Sequence, residues 1–200
     1  MASLYFKHQD NEIWFSNEKV DIDWTPWTIP SDAEISQAKN RYVHVYGEEN
    51  DTKVTIFGIS LYLFAGCTGI SRPDLFVTDD VTNMGGIFEN STISSIDLST
   101  WNTSNVTNMQ NMFKNCTNLT KIIVDKFDTS KVNNGRDMFL NCTSLVGGNG
   151  TSYSNSNTGL DYAKIDSSKS PGYFTSKYNW EEFEPWVKEN GVWIKYETYM

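Results

Sequence analysis

Nothing constrains the fold of this chain more than a segment that recurs with few changes. Trp101-Asn-Thr-Ser-Asn-Val106-Thr-Asn-Met109 leads into Met112-Phe113-Lys-Asn-Cys116-Thr-Asn-Leu119. Displaced by 26 residues, Phe127-Asp-Thr-Ser-Lys-Val132 leads into Met138-Phe139-Leu-Asn-Cys142-Thr-Ser-Leu145. Upstream, Phe76 to Ser91 matches at an offset of 25 with Ser91 in the Cys slot, and Leu63-Phe64-Ala-Gly-Cys67-Thr-Gly-Ile70 matches Met112 to Leu119. A single unit of this length cannot bury its own apolar face, so chains with such periods stack one unit on the next.

Within each unit Val106, Met109, Met112, Phe113 and Cys116 fall at helical spacing, whereas Ile96 and Leu98 alternate as in a short strand. Ser104 and Thr107 stand where N-caps would. The expected fold is therefore an α+β repeat: a short leucine-rich-repeat-like solenoid of three to four coils, each strand, loop and short helix, flanked by β-hairpins. Three domains are expected: an N-terminal hairpin and cap over 1–50, the repeats with a terminating unit over 51–175, and a Trp-bearing hairpin over 176–200. The repeat core is expected to comprise Phe64, Cys67, Phe88, Trp101, Met112, Phe113, Cys116, Phe127, Met138, Phe139 and Cys142.

All three cysteines of the chain occupy one repeat slot. An odd number excludes a fully paired disulfide framework, and a thiol repeated at one position of stacked units reads as a small buried hydrophobe. Neither His8 nor His44 lies in a repeat, and no Cys-x-x-Cys or His cluster is present to hold zinc. The Asn-x-Ser/Thr triplets at Asn90, Asn102, Asn105, Asn115, Asn118 and Asn141 read as turn and ladder residues.

The units resemble those of the BspA-like leucine-rich-repeat proteins of bacterial surfaces. Ile96-Asp97-Leu98-Ser99-Thr100-Trp101-Asn102-Thr103-Ser104-Asn105-Val106-Thr107-Asn108-Met109 and Met112-Phe113-Lys114-Asn115-Cys116 carry the likeness. Leu145 to Thr151, Tyr162 to Asp166 and Pro171 to Thr175 look like that family's terminating unit. The resemblance spans about 63–175, implies attachment or recognition, and supplies no catalytic residues. Departures are Gly135 in the Met109 slot, Ser91 for Cys, and a shortened spacing before Phe76.

The flanks carry their own signals. Leu4 to Lys7 and Glu12 to Phe15 read as hairpin strands joined across His8 to Asn11. Trp24-Thr25-Pro26-Trp27-Thr28-Ile29-Pro30 is too proline-rich for an internal strand or a helix. A short helix or turn over 31–39 would precede a strand at 41–46. Asn190-Gly191 between Trp186-Val-Lys-Glu and Val192-Trp193-Ile-Lys-Tyr specifies a tight hairpin. That short hairpin weakly resembles modules of phage tail and fibre proteins. Gly147 to Ser170 reads as a long surface loop. Trp24, Trp27, Trp186 and Trp193 are the candidate interface residues; Tyr153 and Tyr173 are further rings that either pack or recognise.

A net charge of -9 disfavours nucleic acid and anionic membrane surfaces as partners, because both bind through basic residues. The longest apolar run, Ile59 to Cys67, is far short of the ~20 residues that span a bilayer, and the first residues lack the basic-then-apolar pattern of a secretory signal. Catalytic alternatives are thin. Gly147 to Gly150 lacks the Lys-Ser/Thr of a phosphate loop, Asp21, Asp23, Asp79 and Asp80 read as solvated turn residues rather than a calcium site, and no spacing supports pairing Cys67 with His44. The expectation is a non-enzymatic protein without cofactor or metal, acting in attachment or in a structural assembly. A phage virion component (fibre, tail or decorating subunit) comes first, and a bacterial cell-surface or secreted adhesin domain is the alternative. Its partners would be proteins of a larger assembly or host-surface glycans and proteins, with self-association open.

Overall fold

Four six-residue turns, at 61–66, 85–90, 110–115 and 136–141, mark the repeat in three dimensions. A computed structural model of the chain describes residues 4–20, 23–26, 39–46, 50–178, 186–189 and 192–195. In each turn the second and sixth residues have positive φ: Tyr62 and Gly66, Gly86 and Asn90, Asn111 and Asn115, Asp137 and Asn141. Gly, Asn and Asp are the residues that enter the left-handed region at least cost, and they fill every slot but that of Tyr62. The third and fourth residues, such as Met112 and Phe113, point inward and are fully buried.

These turns overturn the expected short helices. Among the described residues there is no α-helix, only 3-10 turns at Pro73–Leu75 and Leu160–Tyr162. Amides alternate between two destinations. Met112, Lys114 and Cys116 donate to the carbonyl three residues back (3.0–3.2 Å), whereas Asn111, Phe113 and Asn115 donate to Arg136, Met138 and Leu140 of the next unit (2.7–3.0 Å). An α-helix would take every amide for itself; here the left-handed residues turn every second one outward. Ser104 and Thr107 cap nothing: the Thr107 hydroxyl donates to the Thr82 carbonyl at 3.1 Å, and the Ser104 amide donates to the Asn102 side chain.

The strands are short and divide among separate sheets, none of them closed. A hairpin of β1 (Tyr5–Gln9) and β2 (Glu12–Ser16) joins β3 (Thr25–Pro26), β4 (Tyr42–Val45) and, later in the chain, β7 (Gly69–Ile70) in the order β3-β1-β2-β4-β7. β5 (Val54–Thr55) and β6 (Gly58–Ile59) pair with β8 (Phe76–Val77) and β9 (Val81–Asn83). β10 (Ser95–Asp97), β11 (Lys121–Val124) and β12 (Phe174–Ser176) form a parallel three-stranded sheet. Beyond them, β13 (Trp186–Glu189) and β14 (Val192–Lys195) pair antiparallel. The architecture is thus β, with stacked turns, and the expected α+β leucine-rich-repeat solenoid is not what the chain forms. Of the helix or turn expected over 31–39 only residue 39, in a turn, is described, and the Asn190-Gly191 turn lies outside the described residues.

One apolar core runs through the stack. Phe64, Phe88, Phe113 and Phe139 form a ladder with centroids 5.7, 5.4 and 5.9 Å apart, ended by Phe15 on one side and Tyr173 on the other. Ile13, Phe15, Val43 and Val45 of the N-terminal sheet belong to the same buried cluster as the repeats. Burying each such side chain contributes about 1.5–3 kcal/mol. At the far end the expected surface loop, Gly147 to Ser170, is irregular and mostly exposed or half-exposed, but it is anchored. Leu160 fills the space that the missing side chain of Gly135 leaves, since a Cβ there would lie 2.7 Å from it. Asp166 clasps the segment by accepting from the amides of Asn149 (2.8 Å), Thr151 (2.9 Å) and Gly172 (3.1 Å) and from the Thr151 hydroxyl (2.6 Å).

Candidate functional site: a break in the parallel strand column

β4, β7, β10 and β11 follow one another at near-repeat spacing, with β12 about two repeats further on, and each joins the next by parallel pairing except β7 and β10. The cause lies in Ser71-Arg72-Pro73. Pro73 has no amide to give to a ladder and starts the 3-10 turn that carries the chain away. Arg72 anchors that detour, donating to both carboxylate oxygens of Asp74 (2.9 and 2.8 Å) and to Asp51 (2.7 Å). These hydrogen bonds hold the Asp74 carboxyl below its ordinary range.

Between the two strand edges lies a cleft of roughly 350 Å³. It is closed at one end by the Thr92 amide bonded to the Cys67 carbonyl (3.0 Å) and tied at the other by the Trp101 indole bonded to the Pro73 carbonyl (2.9 Å). Ile70, Pro73, Ile93, Ile96 and Ile123 supply its apolar lining; Thr68, Ser94, Ser95 and Asp97 supply the polar part. In a parallel ladder, alternate residues bond to alternate sides. Because Leu98 and Ser94 bond towards β11, the backbone groups of Ser95 and Asp97 face the cleft. At the rim, the half-exposed Tyr42 ring lies over Gly69, where a side chain would collide with it. Tyr42 continues an aromatic row along the N-terminal sheet: His44 stacks on Trp14 at 5.0 Å, and Tyr42 lies 5.1 Å from His44.

The structure places the residues singled out in the sequence elsewhere. Phe64, Cys67, Phe88, Trp101, Met112, Phe113, Cys116, Met138, Phe139 and Cys142 are buried, and Phe127 is half-buried. The Cys116 and Cys142 thiols donate to the carbonyls of Phe88 (3.0 Å) and Phe113 (2.9 Å), as the Ser91 hydroxyl does to Phe64 (3.0 Å). Burial pushes Cys67 up to about 11 and Cys142 up to about 12, and raises Cys116 as well. These thiols are held protonated. Cys67 is buried and His44 lies against Trp14, so the structure does not bring them together as a pair.

Trp24 is buried and meets Tyr46 edge-on at 5.4 Å. Trp27 lies outside the described residues, and Trp186 and Trp193 are described only as strand positions. Tyr173 is buried, and the Tyr153 hydroxyl accepts from the Asn141 amide at 2.9 Å. Asp79 accepts from the Asn102 side chain at 2.6 Å. Among the described residues no cluster of three or more His, Cys, Asp or Glu could hold a metal. Tyr42, Gly69 and Asp97 were not among the residues singled out; the shortened spacing before Phe76, with Pro73 in it, was the signal that could have led to them.

Turn stack and interrupted column define a β protein of repeated units with a single-sided cleft. Residues 61–165 match the family described as "Mycoplasma protein of unknown function, DUF285", and the chain belongs to that family. Searches of curated proteins and of solved structures found no match.

Proposed function

We propose that this protein is a surface-associated attachment and recognition protein of a bacterial cell, without catalytic activity, cofactor or metal. The observation that carries this reading is the division of its surface. The repeat faces are ladders of side chains bonded to one another, whereas the cleft between β7 and β10 presents backbone groups with no ladder partner. Asn141 donates to Asn115 (2.7 Å) and Asn115 to Asn90 (2.8 Å) in one such ladder. Recognition needs a rigid frame with unsatisfied groups at one place, and the cleft supplies them. Thiols held protonated speak against nucleophilic catalysis, which requires the thiolate.

Family membership and the BspA-like character of the repeat units support a bacterial surface as the location, with a protein or glycan of a host surface as the partner. The virion reading that came first from the sequence draws on the short C-terminal hairpin, the unpaired thiols and the lack of a signal pattern in the first residues, and nothing in the family match supports a phage component specifically. Brief protease treatment of intact producing cells tests the proposal. Peptides of this protein should be released while the cells stay intact. Release only after lysis would refute a surface location, and recovery of its peptides in density-purified phage particles would restore the virion reading.

A further inference from the structure

We propose that the cleft between β7 and β10 binds a neutral saccharide, with Tyr42 as the ring platform and the Ser95–Asp97 edge reading the hydroxyls; this rests on the attachment reading and names its ligand class. Three features of the cleft select the ligand. Its volume is at the low end for small-molecule sites. Both ends are tied, by Thr92 to Cys67 and by Trp101 to Pro73, so an extended peptide cannot run through as an added strand. Its chemistry is mixed: backbone N–H and C=O groups facing inward, hydroxyls of Thr68, Ser94 and Ser95, and the Asp97 carboxylate, one oxygen of which accepts from the Ser99 amide at 2.9 Å.

A sugar hydroxyl both donates and accepts, and so matches a wall that offers both. The apolar C–H face of a pyranose fits the Tyr42 ring and the isoleucine floor. Asp97 is the only charged residue in the lining, and together with the net charge of -9 it disfavours phosphorylated or acidic sugars. Hydrogen-bonding walls of this kind also discriminate strongly against ligands that lack the matching hydroxyl. The Tyr42 ring keeps its position because Gly69 leaves room beneath it.

The test uses the full chain and a panel of galactose, glucose, N-acetylgalactosamine, N-acetylglucosamine and their common disaccharides, read by saturation-transfer NMR and calorimetry. At least one should bind, and Ser95→Trp, which fills the cleft from an exposed position, should weaken it at least tenfold without changing the melting temperature. Tyr42→Ala should do the same. Equal binding by Ser95→Trp places the sugar elsewhere and overturns the inference. Binding by none of the panel, with host-cell adhesion intact and indifferent to Ser95→Trp, overturns the saccharide but leaves the attachment reading standing. Absence of both sugar binding and adhesion removes both.

Discussion

Phe113 lies between Phe88 and Phe139 with ring planes tilted by only 8° and 5°, and no neighbouring side chain is free to collapse into its place. Phe113→Ala is therefore expected to cost about 3–5 kcal/mol, measured by urea unfolding; a loss below ~1 kcal/mol would contradict its place in the ladder. The cysteine slot behaves differently, because Ser91 shows that a hydroxyl makes the same bond to the preceding Phe carbonyl. Cys116→Ser should change stability by no more than about 1 kcal/mol. Protonation supplies a sharper readout. The folded thiols ionise well above their ordinary value of 9.0 because burial disfavours the thiolate. Above pH 9 the unfolded chain therefore releases protons that the folded chain retains, and stability falls as pH rises, until Cys67 itself ionises near 11. Each thiol contributes about 1.4 kcal/mol per pH unit. Starting from half-ionised unfolded thiols at pH 9, wild type should lose about 3 kcal/mol relative to the triple variant Cys67→Ser, Cys116→Ser, Cys142→Ser between pH 9 and 10; a pH-independent difference would refute the burial of the thiols.

At the scale of the element, the six-residue turn is the unit that matters, and it depends on its left-handed positions. Asn115 has a φ of 62° and bonds to both Asn90 and Asn141. Asn115→Gly keeps the backbone and loses only the ladder, whereas Asn115→Ala loses both; the Ala variant should be less stable than the Gly variant by about 1–2 kcal/mol, read from thermal or urea unfolding. The turn also explains what could be read in advance. Stacking, the period and the burial of the Met-Phe pair were legible, because apolar slots repeat whatever the backbone does. The helix was not. Successive three-residue turns put Met109, Met112, Phe113 and Cys116 at helical intervals, and only the Asn at 111 and 115 marked the backbone as left-handed there. The cleft was less legible still: Tyr42 meets Gly69 across 27 residues, a contact no local pattern encodes, and Pro73 reads as an ordinary turn until its strand is seen to lack a neighbour.

For the molecule as a whole, the stack must be ended as well as built, and Asp166 ends it. Burial opposes its charge, but the Thr151 hydroxyl and the amides of Thr151, Gly172 and Asn149 prevail and hold its carboxyl below the ordinary value. That stabilisation is complete above the unfolded value near ~4 and is lost as pH falls through the lower folded value. Asp166→Ala should cost on the order of 3 kcal/mol at neutral pH and make the acid limb of the stability curve below pH ~4 shallower, Asp74 still contributing its share; an unchanged acid limb would show that the clasp contributes nothing. The alternating amides carry a mechanical meaning too. Every second donor of a turn crosses to the next unit, so a pull between the N-terminal sheet and Phe174–Ser176 loads these bonds head-on, one rank at a time. Stretched by its ends, the protein should pay out one unit after another, each adding roughly 90 Å of chain. A tether made this way lengthens under load before it lets go.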